Sequence, residues 1–424
     1  MLRIFSAEDR EHEPIVITGI GMITSLGDTR ETTWRGVQAG ESRVRRLRGI
    51  PGIPDDSLIG AVVDIDRPPG RLKSIPLCER ATDEALCDAR IDWSQVDRTR
   101  FGCSISGHMG DPHWLFQQSG VSHEESPDRT PWFDQWLPNT ACAEVATKHQ
   151  LGGPRFCHST ACATSLISFL TAVRAIRDGQ CDIAIAAGAD AIDPLFAAGF
   201  SRMRVLATHD DPRQACRPFD KARTGFVMGE GAAALVVERL SHAVQRECRI
   251  YGEVLGGTML AEAHHVTDLH QESEALAYLV QETLRKSHLS PSDVGYINAH
   301  GTGTEQNDRV EMRGIRRGLG RAADEVCVSS TKSMLGHTVN AAGCVELAIT
   351  ALAMRDGVAP PTINLTDPDP ECTFDCVPLV SKANQFQHAL KVSVAFGGHL
   401  VAVALRRWND AATGFAYPER RRAA

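Results

Sequence analysis

No stretch of the 424-residue chain holds the roughly 18 consecutive apolar residues that suggest a membrane-crossing helix. The opening, MLRIFSAEDREHEP, lacks the apolar core of an export signal. Positive charge is short as well. The formal net charge is −8 and the sequence pI about 6.1, which argues against a general nucleic-acid binder. A local basic patch could still receive an acidic partner. The 13 cysteines are odd in number and have no framework spacing. Without an export signal they read as reduced thiols of a cytoplasmic protein. Cys372 and Cys376 lie close together, but no second Cys/His pair at zinc spacing accompanies them, so no metal or cofactor is expected.

What is present is ordinary globular composition, 42% hydrophobic and 23% charged. The length allows two domains, or two fused halves around one large core. Ile15–Ile20 reads as a buried strand ended by Gly19 and Gly21, followed by a helix near 30–39. Residues 41–77 are rich in Arg, Pro and Gly and read as a surface excursion. Residues 108–140 carry three of the six tryptophans, Trp114, Trp132 and Trp136, as loop cores or as a subunit interface. Residues 194–231 read as a long irregular connection, a length that is unusual unless functional.

An internal repeat is visible. Each half has a strand running into a Gly-rich turn (101–107 and 294–301), then a strand ending in Cys and Ser/Thr before a helix (157–160 and 327–330). Each then has an apolar strand ending in glycine (183–188 and 392–397). Strands alternating with helices imply a parallel-type sheet covered on its faces. Two such units predict a duplicated α/β architecture, with turns at the strand ends of both halves converging on a ligand.

The stretch Phe156-Cys157-His158-Ser159-Thr160-Ala161-Cys162-Ala163-Thr164-Ser165-Leu166 organises this pattern. It places Cys162 at a strand-to-helix turn. A helix N-terminus favours an anion and can lower a thiol pKa; the bland alternative is a buried structural cysteine. The second half supplies His300 and His337 at matching turns, with Lys332 five residues before His337. A lone histidine is more often a satisfied core residue. Two at matched turns, opposite a cysteine at the matching turn of the other half, point to acyl chemistry. The thiolate would attack a thioester, and neutral imidazoles would donate to a carbonyl becoming an enolate. Backbone N–H groups beside Cys162 and Phe396 would form an oxyanion hole.

Five ordered motifs, STACATSL (159–166), RPFDKARTGFVMGEGAAALVVE (217–238), INAHGTGTEQNDRVE (297–311), SSTKSMLGHTVNAAG (329–343) and FGG (396–398), together with ITGIGMITSLG (17–27), carry a resemblance. The chain resembles the elongating β-ketoacyl-(acyl-carrier-protein) synthases of fatty-acid and type II polyketide synthesis, over roughly residues 14–408. The resemblance implies a thiolase-like, duplicated α-β-α-β-α layered fold. It implies an N-terminal half over 14–252 carrying Cys162, a C-terminal half over 253–408 carrying His300, Lys332 and His337, and a tail over 409–424. It implies a decarboxylative condensation of a Cys162-bound acyl chain with malonyl carrier protein, promoted by His300 and His337. Lys332 and Glu311 would form the supporting pair, with Asp308 behind them. Thr302, Thr304 and Thr267 would bind the pantetheine arm. Phe396 and Gly397 would form the gate and oxyanion turn, and Phe200 and Met109 would line the acyl pocket. The partners implied are an acyl carrier protein and a second subunit, in a homodimer or in a heterodimer with a chain-length-factor-like chain.

This chain departs from the family at the gate. Ala395 stands where a glycine is usual and His399 where a threonine is usual, which predicts a stiffer loop and altered chain-length choice or slower acylation. Three rivals remain. A degradative thiolase would need a second cysteine in the 396–399 turn, which has none. A chain-length-factor subunit lacks the nucleophile that Cys162 supplies. A condensing-fold acyltransferase or decarboxylase that never extends is left open by the altered gate. Arg71, Lys73 and Arg80 are the expected basic rim for an acidic carrier protein.

Overall fold

A computed structural model describes residues 13–50, 52–68, 70–107, 130 and 134–409. Met109, Trp114, Trp132 and nearly all of the C-terminal tail lie outside them. The first half contributes five strands: β1 (Ile15–Thr24), β2 (Phe101–Ser106), β3 (Arg155–His158), β4 (Ile183–Asp190) and β5 (Gly231–Arg239). The second half contributes five more: β6 (Gly252–Ala261), β7 (Val294–Asn298), β8 (Cys327–Ser329), β9 (His388–Ala395) and β10 (His399–Arg407). They line up in the order β8-β7-β9-β10-β6-β1-β5-β4-β2-β3. The order is a mirror about the β1–β6 seam, where Ile15–Ile17 run antiparallel to Gly252–Val254. The three strand pairs recognised as a repeat, β2/β7, β3/β8 and β4/β9, occupy equivalent places.

The sheet is mixed, which corrects the expectation of a parallel one. Within each half four strands run the same way and one, β5 or β10, runs antiparallel to both its neighbours. Short hairpin-like returns such as 396–398 cannot make a parallel crossover. β10 was not read from the sequence at all. Its run of Val, Ala and Leu follows β9 after only three residues, so the two merge into one apolar signal.

Helices form three layers around these strands. α1 (Arg30–Gln38) follows β1. α2 (Ser74–Asp88) packs outside β1, β4 and β5. α3 (Thr164–Arg177) and a last helix, Ala342–Asp356, lie together between the two half-sheets and touch both. On the other outer face sits the pair Glu274–Lys286 and Glu305–Leu319. The apolar clusters divide the same way. One fills the middle layer, built on Leu166, Phe169, Val345, Leu347 and Ile349. One lies under α2 with Ile75, Ala81 and Ala85. One lies under the outer pair with Leu276, Val280 and Ile315. This is the α-β-α-β-α layering expected. The middle helices are buried nearly all round, 13 of 15 residues in 342–356, which explains their small-residue composition without polar faces.

Gly19 and Gly21 do not end β1. The strand runs through them to Thr24 because α2 crosses at backbone contact. A Cβ on Gly21 would sit 1.9 Å from the Ala81 carbonyl oxygen and 2.6 Å from the Ala85 nitrogen. Both obstacles are helix backbone and cannot move aside. Gly21→Ala is therefore expected to cost at least about 1–3 kcal/mol, the range of core overpacking, read as a lowered denaturant midpoint; an unchanged midpoint would mean that α2 shifts freely.

Two other stretches differ from the reading. Residues 41–77 are not all surface excursion, since Leu47 and Leu58 are buried and α2 starts at Ser74. Residues 194–231 contain a helix, α4 (Pro194–Met203), taking α4 as the helix after α3. Asp193 caps it, accepting from the N–H groups of Leu195 and Phe196 at 2.8 and 3.1 Å, and Pro194 sits in the first turn. That Asp-Pro pair is a start signal readable from the sequence. Cys372 and Cys376, expected as reduced thiols, are joined in a disulfide across the turn between them.

Candidate active site

Four turns meet at the C-terminal ends of β3, β7, β8 and β9. The first passes through a short 3-10 turn, Ala161–Ala163, into α3 (Thr164–Arg177). Ala161 takes a left-handed φ of +47°, a conformation that costs a non-glycine residue energy and concentrates at functional sites. It is clamped from below by Thr164, whose hydroxyl donates to the Ala161 carbonyl at 2.6 Å and accepts from the Thr160 N–H at 2.8 Å. The second turn carries His300. The third runs through the short helix Lys332–Leu335 and Gly336 to His337. Gly336 has φ +69°, and a Cβ there would lie 2.9 Å from the Met228 carbonyl oxygen, so the chain can reach His337 this way only with glycine. The fourth is the hairpin Phe396–Gly398.

These turns bring three groups together. His337 Nε2 lies 3.0 Å from Cys162 Sγ. The His300 and His337 rings meet edge to face with centroids 5.2 Å apart. Both imidazoles are buried, and burial holds their pKa values well below the usual histidine range, helped by the charge of Lys332 and, for His300, by His337. They are neutral at pH 7, each with one N–H to give. Lys332 Nζ lies 3.4 Å from His300 Nδ1. An ammonium can only donate there, so Nδ1 accepts and the N–H is on Nε2. Cys162 runs opposite to the expectation from its helix N-terminus. Burial pushes its thiol up to about 12, with Lys332 opposing. At pH 7 the sulfur is therefore protonated, with a neutral imidazole in place to take the proton.

The supporting shell also departs from expectation. Lys332 does not pair with Glu311. It donates to Glu346 Oε1 at 2.5 Å and to the His300 carbonyl at 2.5 Å. Glu346, on the middle-layer helix 342–356, also holds Lys391 at 2.6 Å through its other oxygen. Glu311 instead receives the N–H groups of His300 and Gly301, both at 2.6 Å. Burial pushes its carboxyl up to about 7. Asp308 accepts from the N–H of Phe219 at 2.8 Å and of Gly303 at 3.2 Å, with Arg223 3.6 Å away. It ties the 217–225 segment to the His300 turn. Glu346 and Lys391 were missed by the sequence reading. Their signal is a charge inside an otherwise apolar run, in AAGCVELAIT and in ALKVSVAF, where an unpaired charge would be costly.

The triad faces a cavity of about 600 Å³. Thr302, Thr304, Thr267, Phe200 and Phe396 all line it. The Thr302 and Thr304 hydroxyls are 2.8 Å apart. Phe200 packs edge-on against Phe226 and near Phe396, with centroid distances of 5.2 and 6.5 Å, and Phe226 packs edge-on against His337 at 5.4 Å. Gly397 is not a free oxyanion donor here: its N–H donates to the Val266 carbonyl at 2.7 Å. That bond ties the gate hairpin to the 262–270 loop. Met109 lies outside the described residues. The basic rim is also not as expected. Lys73 is paired with buried Glu230 at 2.5 Å, and Arg71 with Glu79 and Glu144; of the three, Arg80 alone is exposed.

The chain matches two family models: "Beta-ketoacyl synthase, N-terminal domain" over residues 74–243 and "Beta-ketoacyl synthase, C-terminal domain" over residues 251–366. It is 36% identical over 415 residues to a 3-oxoacyl-[acyl-carrier-protein] synthase 2 of Coxiella burnetii, covering 94% of this chain and all of that one. It is also 36% identical over 415 residues to the tetracenomycin polyketide synthase ketoacyl synthase alpha subunit of Streptomyces glaucescens, covering 93% and 97%. A solved type II polyketide acyl-carrier protein in complex with its ketosynthase, bound to the hexaketide, superposes with a TM-score of 0.87 at 29% identity, covering 94% of this chain and 100% of that one. The ishigamide ketosynthase/chain length factor does so at 0.84 and 27%, covering 94% and 100%.

Proposed function

The chain belongs to the β-ketoacyl synthase family, and on that premise we propose that it elongates acyl chains by decarboxylative condensation on Cys162. The observation that carries the reading is the 3.0 Å approach of a neutral His337 to the Cys162 thiol, beside His300, inside the cavity. In the first half-reaction His337 takes the thiol proton and the sulfur attacks the acyl thioester. The carrier thiolate leaves and takes that proton, so the carrier is released as a free thiol. In the second, the bond from the malonyl unit to its carboxylate breaks and CO2 departs. The electron pair left behind forms an enolate, which accepts the Nε2–H of His300. The enolate carbon then attacks the acyl carbonyl, the C–S bond to Cys162 breaks, and the released thiolate takes one proton from solvent, the proton that the overall reaction consumes. The product is a 3-oxoacyl carrier thioester two carbons longer.

Further roles belong to the same reading. Thr302, Thr304 and Thr267 hold the pantetheine arm, with Phe396 and Gly397 as its gate. Phe200 and Met109 shape the acyl pocket, and Ala395 stiffens the gate. The substrate partner is an acyl carrier protein. The second subunit is a copy of this chain or a chain-length-factor-like chain, and the fold divides into halves at 252/253, followed by a tail. No described helix is long and apolar enough to cross a membrane; a cytoplasmic location suits carrier-bound substrates.

Intact-protein mass spectrometry tests this directly. The expected result is an acyl mass on Cys162 from acyl-carrier thioesters, cleared on adding malonyl carrier protein with formation of the longer 3-oxo product. An acyl mass that persists, or malonyl loss with no longer product, would establish the non-extending acyltransferase or decarboxylase instead.

A further inference from the structure

We infer that Lys391 is a positioning residue for His300, serving the carbanion-forming half-reaction and not the acylation of Cys162. The inference rests on the condensing reading above. Lys391 sits fully buried on β9. Opposite it on the flanking strands are Asn298 and Val403, both uncharged. Its ammonium donates to the Ala299 carbonyl at 3.3 Å and to the Val392 carbonyl, and lies 2.6 Å from Glu346 Oε2.

The turn that presents His300 is thereby gripped on both sides. Lys391 and Lys332 hold the successive carbonyls of Ala299 and His300. Glu311 holds the successive N–H groups of His300 and Gly301. Glu346 bridges the two ammoniums. Two buried cations on one carboxylate make a positive site, which one lysine on one carboxylate would not.

Lys391 is among the groups that hold both His300 and His337 unprotonated. The side chain that touches the Cys162 sulfur is His337, at 3.0 Å. The bonds of Lys391 go to the carbonyl just before His300, to Val392 and to Glu346, and not to His337 or Cys162, so removing it should displace the His300 turn and leave the pair that acylates in place. The charged and titratable groups around it are Glu346 and Lys332, then Glu311, and then the two histidines it acts on. Burial lowers the Lys391 ammonium to about 8. It is cationic below that pH and loses its charge as the pH rises through it, so the decarboxylation step should fall on the alkaline side.

The test separates the half-reactions in wild type and in Lys391→Met, which keeps the length of the side chain without the charge. Decarboxylation of malonyl carrier protein is expected to drop on the order of 10- to 100-fold, the scale of a misplaced catalytic group, and its alkaline limb near pH 8 should disappear. Acylation of Cys162 by an acyl thioester should change far less, by under about threefold, because Lys391 bonds to neither Cys162 nor His337. Equal loss in both half-reactions, or an alkaline limb unchanged in the variant, would overturn the assignment. If Lys391→Met does not fold, Lys391→Gln, which keeps a donor for the Ala299 carbonyl, goes through the same two assays, and equal loss in both half-reactions again refutes the role. A wild-type protein that neither acylates nor decarboxylates refutes instead the condensing function on which it rests.

Discussion

Cys162→Ala is expected to lower elongation by at least about 10⁴-fold, the scale seen when a covalent nucleophile is removed, and to abolish the acyl mass. The reason is positional. No other thiol lines the cavity with the two imidazoles, so no neighbour can substitute. The same variant should still release CO2 from malonyl carrier protein, because His300, His337 and the Lys332–Glu346 pair do not depend on the sulfur for their placement. Loss of both reactions would mean that the cysteine holds the site together structurally. The wild-type thiol gives a second readout. Burial raises its pKa to about 12, so the thiolate fraction grows with pH until the pH nears that value. Alkylation by iodoacetamide should climb about tenfold per pH unit between roughly pH 6 and 9. A plateau near pH 7 would show that the helix N-terminus outweighs burial.

Glu346→Leu should cost about 3–5 kcal/mol of stability, the range for leaving a buried charge without its partner. The leucine fits the apolar middle layer well, so packing is not the issue. The loss comes from Lys332 and Lys391, buried at 1% and 0% exposure and left with backbone carbonyls and, for Lys332, the neutral His300 ring, with no anion between them. The measurement is the shift in denaturant midpoint at constant slope. Adding Lys391→Met to Glu346→Leu should recover part of the loss, since one stranded cation is gone; such non-additivity is expected of groups in one network. A cost below about 1 kcal/mol, the scale of a surface ion pair, would mean that water reaches the cluster.

The sequence alone determined a good deal. The repeat of strand, turn and helix predicted paired halves, and the structure places each predicted pair at mirrored positions in one sheet. Cys162, His300, His337 and Lys332 stand in unbroken motifs at strand ends, and those strand ends converge. Side-chain identity and short-range spacing suffice for such statements, because a strand-end turn is a local event and the parallel strands of a half-sheet point their C-termini the same way. Antiparallel strand directions were less legible, since only Phe396-Gly397-Gly398 separates β9 from β10 and both are rich in Val, Ala and Leu.

What tertiary structure decided was pairing through space and the consequences of burial. The family resemblance paired Lys332 with Glu311. The partner of Lys332 is Glu346, on a helix that reads from its sequence as a small-residue helix and becomes central only when the two half-sheets close over it. Lys391 drew no notice in the sequence, yet it completes that cluster from a third element. The Cys162 thiol was expected to be acidified by its helix N-terminus, and it is not, because desolvation of the anion exceeds the pull of one helix end and of Lys332. Spacing along the chain can place a titratable group at a turn. How far that group lies from water, and which charge lies across from it, depends on elements hundreds of residues apart and is settled only when the layers pack.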